Sequence, residues 1–383
     1  MEMKERAERG FAAVEAELHN ISQWMYDNPE IAYKEFDTSA RLVSFLTNNG
    51  FEVGFPAWGL ETSFNAVAGT RGPEIIICAE YDALPEVGHA CGHNIIATAA
   101  LGAGTALAPL AEELGIRIRV LGTPAEEEGG GKVDLIKAGA FSGAAAAMMI
   151  HPAPFDVVDK NYLAVAHIDI EFTGKESHAA LAPQVGINAL DAAVQAYNNV
   201  SMLRQTLYPT DKVHGVITYG GGVPNVIPAF TSMSWYVRAA TKQRLDELYG
   251  QVMACFEAAA TATRCTLEVK PRGHSYTDLR ANPTMVELYA KNSAALGRPM
   301  GRGADEDPGA AGSTDMGNVS YELPTIHPML DIHPGDATNH QKAFAAHTTT
   351  PGGQAAIRDG ALSMAYTVID LAEGDRWDDH ARS

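Results

Sequence analysis

Three short, predominantly apolar runs in the first 150 residues constrain the fold of this chain more than any other feature. They lie at residues 74–80, 116–122 and 144–150, and isoleucine is frequent in the first two. Runs of this length and composition are typical of parallel strands that are buried on both faces. The sequence therefore predicts an α/β fold with an open, mostly parallel twisted sheet flanked by helices.

Each run is followed by side chains that can bind a metal ion. In chain order they are Asp82, Cys91, His93, Glu126, Glu127 and His151. Taken singly, a Cys is often a small buried hydrophobe and a Glu pair is often solvated. The carboxyl ends of parallel strands, however, meet at one edge of an open sheet, where ligands bind. Because these metal-binding side chains occur together at three strand ends, the sequence predicts a metal centre at that edge.

Charge and cysteine content limit the partners and the compartment. A net charge of −19 disfavours nucleic acids and anionic membranes as partners. Residues 1–20 are charged and predict one amphipathic helix rather than a signal segment, and no run approaches transmembrane length. Four cysteines are too few for a disulfide framework. These features predict a cytoplasmic enzyme with reduced thiols.

The length and the change of pattern along the chain predict two domains. A chain of 383 residues is long for a single core. Residues 162–270 have the order β-α-β-β-α-β, which is typical of a split βαβ, ferredoxin-like unit. We expect this inserted α+β domain to interrupt a catalytic metal-binding domain formed by residues 1–161 and 271–383. The glycine-rich residues 301–312 predict a mobile loop.

Several motifs resemble those of the aminoacylase/carboxypeptidase metallopeptidases, metallopeptidase family twenty. They are DALP at 82–85, HACGH at 89–93, PAEE at 124–127, HP at 151–152, GKESHAALAP at 174–183, NVIP at 225–228 and NH at 339–340. Cysteine in the second motif is typical of the amidohydrolase branch of that family. GHACGHNIIA at 88–97 and GSTDMGNVS at 312–320 resemble the basic-dipeptide, Xaa-Arg type dipeptidase-like subgroup. The resemblance covers nearly the whole chain and implies a metallo-exopeptidase type of sheet.

The resemblance also implies two divalent metal ions per subunit. Cysteine, histidine and carboxylate ligands suit zinc, with manganese or cobalt as workable substitutes. The implied ligands are Cys91, His93, Glu127, His151 and His340. Cys91 would bridge the two ions, and Asp82 would orient a ligand imidazole. Two such ions would activate a water molecule and polarise an amide carbonyl.

The same resemblance suggests how the proton is moved. Adjacent carboxylates point in different directions, so Glu126 can face the water while Glu127 faces a metal ion. Glu126 is the expected general base, and it later donates the proton to the leaving amine. Glu128 is expected to be exposed to solvent, and His89 is expected to be structural.

The inserted domain is expected to act as a lid and to form a homodimer. In the family, the His matching His178 reaches the partner subunit's active site and stabilises the tetrahedral oxyanion. Asn225 would hold the substrate carbonyl or carboxylate, and Arg238 could pair with a carboxylate through two hydrogen bonds. Closure of the domain would exclude water.

The reaction implied is hydrolysis of the amide bond in a small N-acyl amino acid or dipeptide. The subgroup resemblance and the acidic charge favour Lys, ornithine or Arg on the C-terminal side. Two alternatives remain: hydrolytic deamination or cyclic-amide opening at the same dinuclear site, and a metal-binding relative without catalysis. Asn94 departs from the branch, where Asp usually follows the His. This departure affects the hydrogen bonding behind the ligands and leaves the ligand set intact.

Overall fold

The computed structural model describes residues 2–303 and 311–374, which group into two compact units. The first unit comprises Met1–Asn161 and most of the chain after Leu279. The second comprises Tyr162–Asp278 and a short later segment that ends at Thr314. The insertion expected at residues 162–270 begins with the second unit and ends inside its last strand. Most of the loop expected at 301–312 lies outside the described residues.

The first part of the first unit alternates helices and strands. Its helices are α1 (Glu2–Ala12), α2 (Glu15–Asp27), α3 (Phe36–Asn48), α4 (His93–Leu107), α5 (Ala111–Leu114) and α6 (Gly131–Lys137). Its strands are β1 (Glu52–Gly54), β2 (Asn65–Ala68), β3 (Glu74–Ala79), β4 (Arg117–Gly122), β5 (Ala146–Met148) and β6 (His151–Ala153). The prediction of a single N-terminal helix over residues 1–20 is wrong, because two helices occupy this region. A turn in which the Val14 amide donates to the Phe11 carbonyl separates α1 from α2.

The four strands of the main sheet and the two helices of the second unit follow the β-α-β-β-α-β order expected from the sequence. Its elements are β7 (Ala164–Thr173), β8 (Ser177–His178), α7 (Ala189–Leu203), β9 (Lys212–Tyr219), β10 (Val226–Ile227), β11 (Phe230–Ala239), α8 (Lys242–Thr263) and β12 (Thr266–Pro271). The main sheet is antiparallel, in the order β12-β7-β11-β9, and β8 and β10 form an additional two-stranded sheet. Buried residues alternate along β7 and β11, and α7 and α8 pack against this apolar face. The ferredoxin-like arrangement is confirmed.

The chain returns to the first unit after the insertion. The returning elements are α9 (Pro283–Ala295), α10 (Met316–Ser320), β13 (Thr325–Ile326), β14 (Met329–Asp331), α11 (Lys342–His347) and α12 (Pro351–Glu373). The sheet order is β1-β2-β4-β3-β5-β13. Strands β4, β3, β5 and β13 are parallel, and the β1–β2 and β2–β4 pairings are antiparallel. The mostly parallel α/β sheet is therefore confirmed.

Helix α4 is the central helix of the first unit, and all of its residues are buried. Gly102 and Gly104 allow close packing, since a Cβ at these positions would lie 2.8 Å from the Phe11 ring and 2.4 Å from Val120. The stretch His93–Leu114 has the length and hydropathy of a membrane span, contrary to the expectation from sequence. Of the most apolar part of this stretch, 89% is buried inside the protein. The apolar length therefore serves packing around α4.

The predicted strand ends do lie at one edge of the sheet. Strand β3 ends at Ala79, β4 ends at Gly122, and β5 is followed closely by β6, which begins at His151. Because β3, β4 and β5 are parallel, the residues after them emerge on the same side. This edge carries the candidate site.

Candidate metal centre

The backbone turn between Cys91 and His93 depends on glycine at position 92. Gly92 has φ +83° and caps the N-terminus of α4, so His93 is the first helical residue. A Cβ at this position would lie 2.7 Å from Cγ of Pro152. Only glycine adopts this backbone conformation without strain and also leaves room for the ring. This turn therefore places Cys91 and His93 against strand β6, which begins at His151.

The Cys91 sulfur lies between two imidazoles. Its Sγ is 3.3 Å from Nε2 of His151 and 3.6 Å from Nε2 of His340. Nδ1 of His151 lies 2.8 Å from the Pro152 carbonyl, which can only accept, so Nδ1 carries the hydrogen and the Nε2 lone pair faces the sulfur. Burial lowers the pKa of His151 to about 4. His151 is therefore neutral at pH 7 and has the tautomer that binds a metal ion.

His93 is oriented by Asp82. The His93 Nδ1 lies 3.0 Å from Oδ1 of Asp82, and the other Asp82 oxygen accepts a hydrogen bond from the Glu127 amide at 3.0 Å. This leaves Nε2 of His93 facing two carboxylates, 3.5 Å from Oε2 of Glu80 and 3.8 Å from Oε1 of Glu127. One aspartate therefore fixes both an imidazole and the backbone of a candidate carboxylate ligand.

The donor atoms form two overlapping groups. Cys91, His93 and His151 form one, and Cys91, Glu127 and His340 form the other, with the ligand atoms of each group within 4.8 Å of one another. Oε2 of Glu127 lies 3.7 Å from Nε2 of His340. Nε2 of His93 and Oε1 of Glu127 are buried without a hydrogen-bond partner. Buried nitrogen and oxygen atoms without a hydrogen-bond partner are suited to bind a metal ion. The Cys91 sulfur belongs to both groups, as expected for a site that holds two ions.

Glu126 lies beside these groups. One of its oxygens belongs to a third cluster with His93 and Glu127. Burial raises the pKa of Glu126 well above its usual value, and the nearby carboxylates of Glu80 and Glu127 raise it further. A carboxylate whose pKa is raised is a stronger base, which favours the proton transfers of a general base and acid.

The backbone before Glu126 is held by a residue that the sequence analysis did not single out. Ala125 has φ +60°, and its amide donates to Oε1 of Glu35 at 3.0 Å. The other Glu35 oxygen accepts from the Thr62 hydroxyl at 2.9 Å. Burial, and next the charge of Asp82, raise the pKa of Glu35 to about 7. Glu35 therefore supports a strained turn directly before the carboxylate pair.

A buried lysine was also missed. Lys132 is fully buried, its ammonium contacts Glu80, and it lies 2.7 Å from Oδ1 of Asp315. Although burial lowers the pKa of a lysine, the carboxylates of Asp315 and Glu80 raise the pKa of Lys132 above its ordinary value. The available sequence signal was the position of this lysine directly after the three glycines at residues 129–131.

Asn94, the departure noted above, is buried behind the ligands. Its side-chain amide donates to Ser22 Oγ at 3.0 Å and to Thr348 Oγ1 at 3.1 Å. It therefore ties the start of α4 to α2 and to the residues before α12. His89 and Glu128 are buried and exposed, respectively.

Three of the expected site residues belong to the second unit. His178 pairs with Val226 across β8 and β10, and the Ala179 amide donates to the Asn225 carbonyl at 3.0 Å, so His178 and Asn225 are close neighbours. Both side chains are exposed. Arg238 lies on β11 and donates to the Ser313 hydroxyl at 2.7 Å.

The tautomer of His178 is set by its own backbone. Its Nδ1 accepts hydrogen bonds from the amides of Ala180 and Leu181, both at 3.2 Å. An Nδ1 that accepts leaves the hydrogen of a neutral imidazole on Nε2. His178 therefore presents an exposed N–H donor.

Comparison with known proteins identifies the family. Residues 76–355 match the model of peptidase family M20/M25/M40. The chain belongs to this family. It is 38% identical to the Xaa-Arg dipeptidase of Mus musculus, over 96% of this chain and 89% of the mouse protein. The family resemblance, including the dipeptidase-like subgroup, is confirmed.

Solved structures share the fold. A putative aminohydrolase from methicillin-resistant Staphylococcus aureus aligns with a TM-score of 0.81 at 18% identity, covering 96% of this chain and 99% of that one. A dinuclear metal-binding M20 peptidase from Bacillus subtilis aligns with a TM-score of 0.73 at 22% identity, covering 94% and 99%. The M20 chain described here is an enzyme, a metallohydrolase of amide bonds, as its sequence predicted.

Proposed function

We propose that this M20 enzyme is a dinuclear dipeptidase that hydrolyses a dipeptide or small N-acyl amino acid with a basic residue on the C-terminal side. The observation that carries the proposal is the convergence of two donor groups on the Cys91 sulfur, with Glu126 beside them. The identity of 38% with an Xaa-Arg dipeptidase over most of both chains supports the basic residue. The net charge of −19 also favours a cationic substrate.

Two divalent ions would be held by the two donor groups. Zinc is the proposed metal, because thiolate, imidazole and carboxylate ligands together suit it, and manganese or cobalt could substitute. The proposed ligands are Cys91, His93, Glu127, His151 and His340. When bound, such ions lower the pKa of water and polarise the carbonyl of the scissile amide.

The residues of the first unit move the proton. Glu126 takes a proton from the attacking water and delivers it to the amine that leaves, for which its raised pKa is suited. Asp82 holds His93 through Nδ1, so that Nε2 keeps its direction throughout the reaction.

The residues of the second unit bind the substrate. The exposed Nε2–H of His178 would donate to the oxygen of the tetrahedral intermediate. Asn225 would bind the substrate carbonyl or carboxylate, and the guanidinium of Arg238 would pair with the carboxylate. A small molecule with one amide and one carboxylate fits these donors.

We further propose a homodimer formed through the second unit. Strand β9 is at the edge of its sheet, and Val216, Ile217 and Tyr219 on it are exposed apolar residues. An apolar edge strand is a surface that a second copy can cover.

We propose a cytoplasmic enzyme without nucleic-acid or membrane partners, which agrees with four free cysteines and the acidic charge.

A substrate panel tests the function. Enzyme reconstituted with zinc, manganese or cobalt would be assayed by kcat/KM on N-acyl, β-alanyl and γ-aminobutyryl conjugates of Lys, Arg, Glu, Leu and an aromatic amine. We expect the Lys and Arg conjugates to be the fastest. The Glu126→Gln variant, purified in parallel, serves as the blank for contaminating hydrolases.

Other outcomes have distinct meanings. Faster turnover of Glu or aromatic conjugates would reject the basic preference and keep the amide hydrolase. If no conjugate is hydrolysed, a free aromatic amine and a cyclic amide would be assayed with the same enzyme, and deamination of the first or opening of the second would support the alternative reactions at the same site.

A further inference from the structure

Glu80 follows strand β3 and has two oxygens in different surroundings. Oε1 contacts the ammonium of Lys132, which also lies 2.7 Å from Oδ1 of Asp315. The Lys132 amide donates to the other Asp315 oxygen at 3.0 Å. All three side chains are at least 99% buried. Glu80 is therefore fixed through one oxygen only.

The second oxygen of Glu80 is unsatisfied and faces the metal centre. Oε2 is buried without a hydrogen-bond partner, and so is the nearest imidazole nitrogen, Nε2 of His93, at 3.5 Å. Oε1 of Glu127 is a third unsatisfied buried atom, 3.8 Å from the same nitrogen. A buried polar atom without a partner is costly, and three that converge call for a common explanation.

A hydrogen bond from His93 does not supply that explanation. A separation of 3.5 Å is too long for a sound N–H···O bond. It is instead the spacing of two ligands on one ion, because bonds of about 2.1 Å at a tetrahedral angle place the ligand atoms roughly 3.4 Å apart. The distance therefore matches an ion between the two atoms better than a proton.

We propose that Glu80 is a further ligand of the ion that His93 binds, through Oε2, and that Lys132 and Asp315 position it. This inference assumes the metal centre of the proposed function and adds a carboxylate to its five ligands. Lys132 occupies Oε1 and so leaves Oε2 as the oxygen available to the ion. It also balances the charge of a carboxylate that would otherwise be buried among Glu126, Glu127 and Asp82.

Cobalt titration of chelator-treated full-length protein tests the assignment. Co²⁺ binding reports affinity and stoichiometry by calorimetry, and its visible absorption intensity reports coordination number. We expect wild type to bind two Co²⁺ ions and E80Q to lose about 10²-fold in affinity for one of them, with a changed spectrum, because an uncharged amide oxygen is a weak ligand.

Two further variants keep the test clear. E80Q could unfold, because the buried ammonium of Lys132 loses one of its two carboxylate partners. The double variant E80Q/K132M removes both the carboxylate and the ammonium. We expect it to fold and to bind one Co²⁺ ion as weakly as E80Q does. Glu74→Gln is the matched control. Glu74 is buried on the same strand and paired with Arg119, at the end of β3 away from the metal centre. It should bind Co²⁺ as wild type does.

The outcomes separate the two proposals. Two ions bound by E80Q or by E80Q/K132M with wild-type affinity and spectrum would overturn the role of Glu80 and leave the metal centre standing. Failure of wild type itself to bind Co²⁺ would overturn the metal centre and the role of Glu80 together.

Discussion

The two units hold their candidate residues in opposite ways. In the first unit, Cys91, His93 and Glu126 are buried, and Asp82 fixes the direction of the His93 ring before any ligand arrives. In the second unit, His178 on β8 and Asn225 directly before β10 are exposed, and backbone hydrogen bonds between these two segments position them. The first arrangement suits ions and a proton, which need fixed geometry, and the second suits a substrate that arrives from solvent. Substitutions in the two units should therefore fail in different ways.

Loss of metal is the largest effect expected, and it should occur only for the first unit. Cys91→Ala or His151→Ala removes a ligand, so the purified protein should hold fewer ions and be inactive, as should wild type treated with a chelator. Metal content by mass spectrometry and hydrolysis rates check this. Cys265→Ala, which changes a partly exposed thiol of the second unit, is the control. Full occupancy and activity in both ligand variants would refute the assignment.

Loss of the general base should separate turnover from metal binding within the first unit. Glu126→Gln keeps the shape but cannot accept the proton, so kcat should fall by ~10²–10⁴-fold with metal content unchanged. Glu128→Gln, an exposed neighbour, should remain as active as wild type. If Glu127→Gln instead keeps its metal and loses only turnover, the roles of the two carboxylates are exchanged.

His178→Ala tests the second unit. Removing one oxyanion donor should lower kcat by ~10²–10³-fold without any loss of metal. If His178 acts in the partner's site, mixing His178→Ala and Glu126→Gln subunits should recover part of the activity, because some mixed sites contain both intact residues. No recovery despite measured subunit exchange would place His178 in its own subunit's site or outside catalysis.

The smallest effect expected is on the pH dependence of the free energy of unfolding, through Glu35 of the first unit. The pKa of Glu35 is raised from 4.5 to about 7, so its stabilising contribution is complete below pH 4.5 and is lost as the pH rises through 7. Wild type should lose ~3 kcal/mol by this route, and Glu35→Gln should not. Urea unfolding of both proteins at pH 4.5 and pH 8 measures the difference. Parallel pH dependences would show that Glu35 does not titrate there.

The sequence predicted most of the fold because the strands have distinct patterns. Residues 75–79 are apolar throughout and form most of the buried parallel β3, whereas alternation at residues 168–172 becomes part of β7, which is covered on one face only. The break between α1 and α2 was missed, since the apolar spacing of Phe11, Val14 and Leu18 continues across the turn.

The candidate metal ligands were easier to predict from the sequence than the buried residues that hold them in place. Cys91 and His93 form a compact motif with known ligand chemistry, and His151 follows a strand directly. Lys132 and Glu35 carry charges that composition assigns to the surface, and their burial depends on contacts with Asp315 and Thr62 that are distant in sequence. Such pairings arise from tertiary packing, which local pattern does not encode.

The spread of the donors along the chain has a consequence for biosynthesis. The second unit is nearly continuous in sequence, so a growing chain on the ribosome contains its sheet and both of its helices once residue 271 has emerged. The candidate metal centre includes both Cys91 and His340, and the His340 amide donates to the Ala90 carbonyl at 2.8 Å. Lys132 meets Asp315 only when the later segment arrives. Under the proposed ligand set, translation must pass residue 340 before the ion held by His340 can be captured, so metal loading follows synthesis of the second unit.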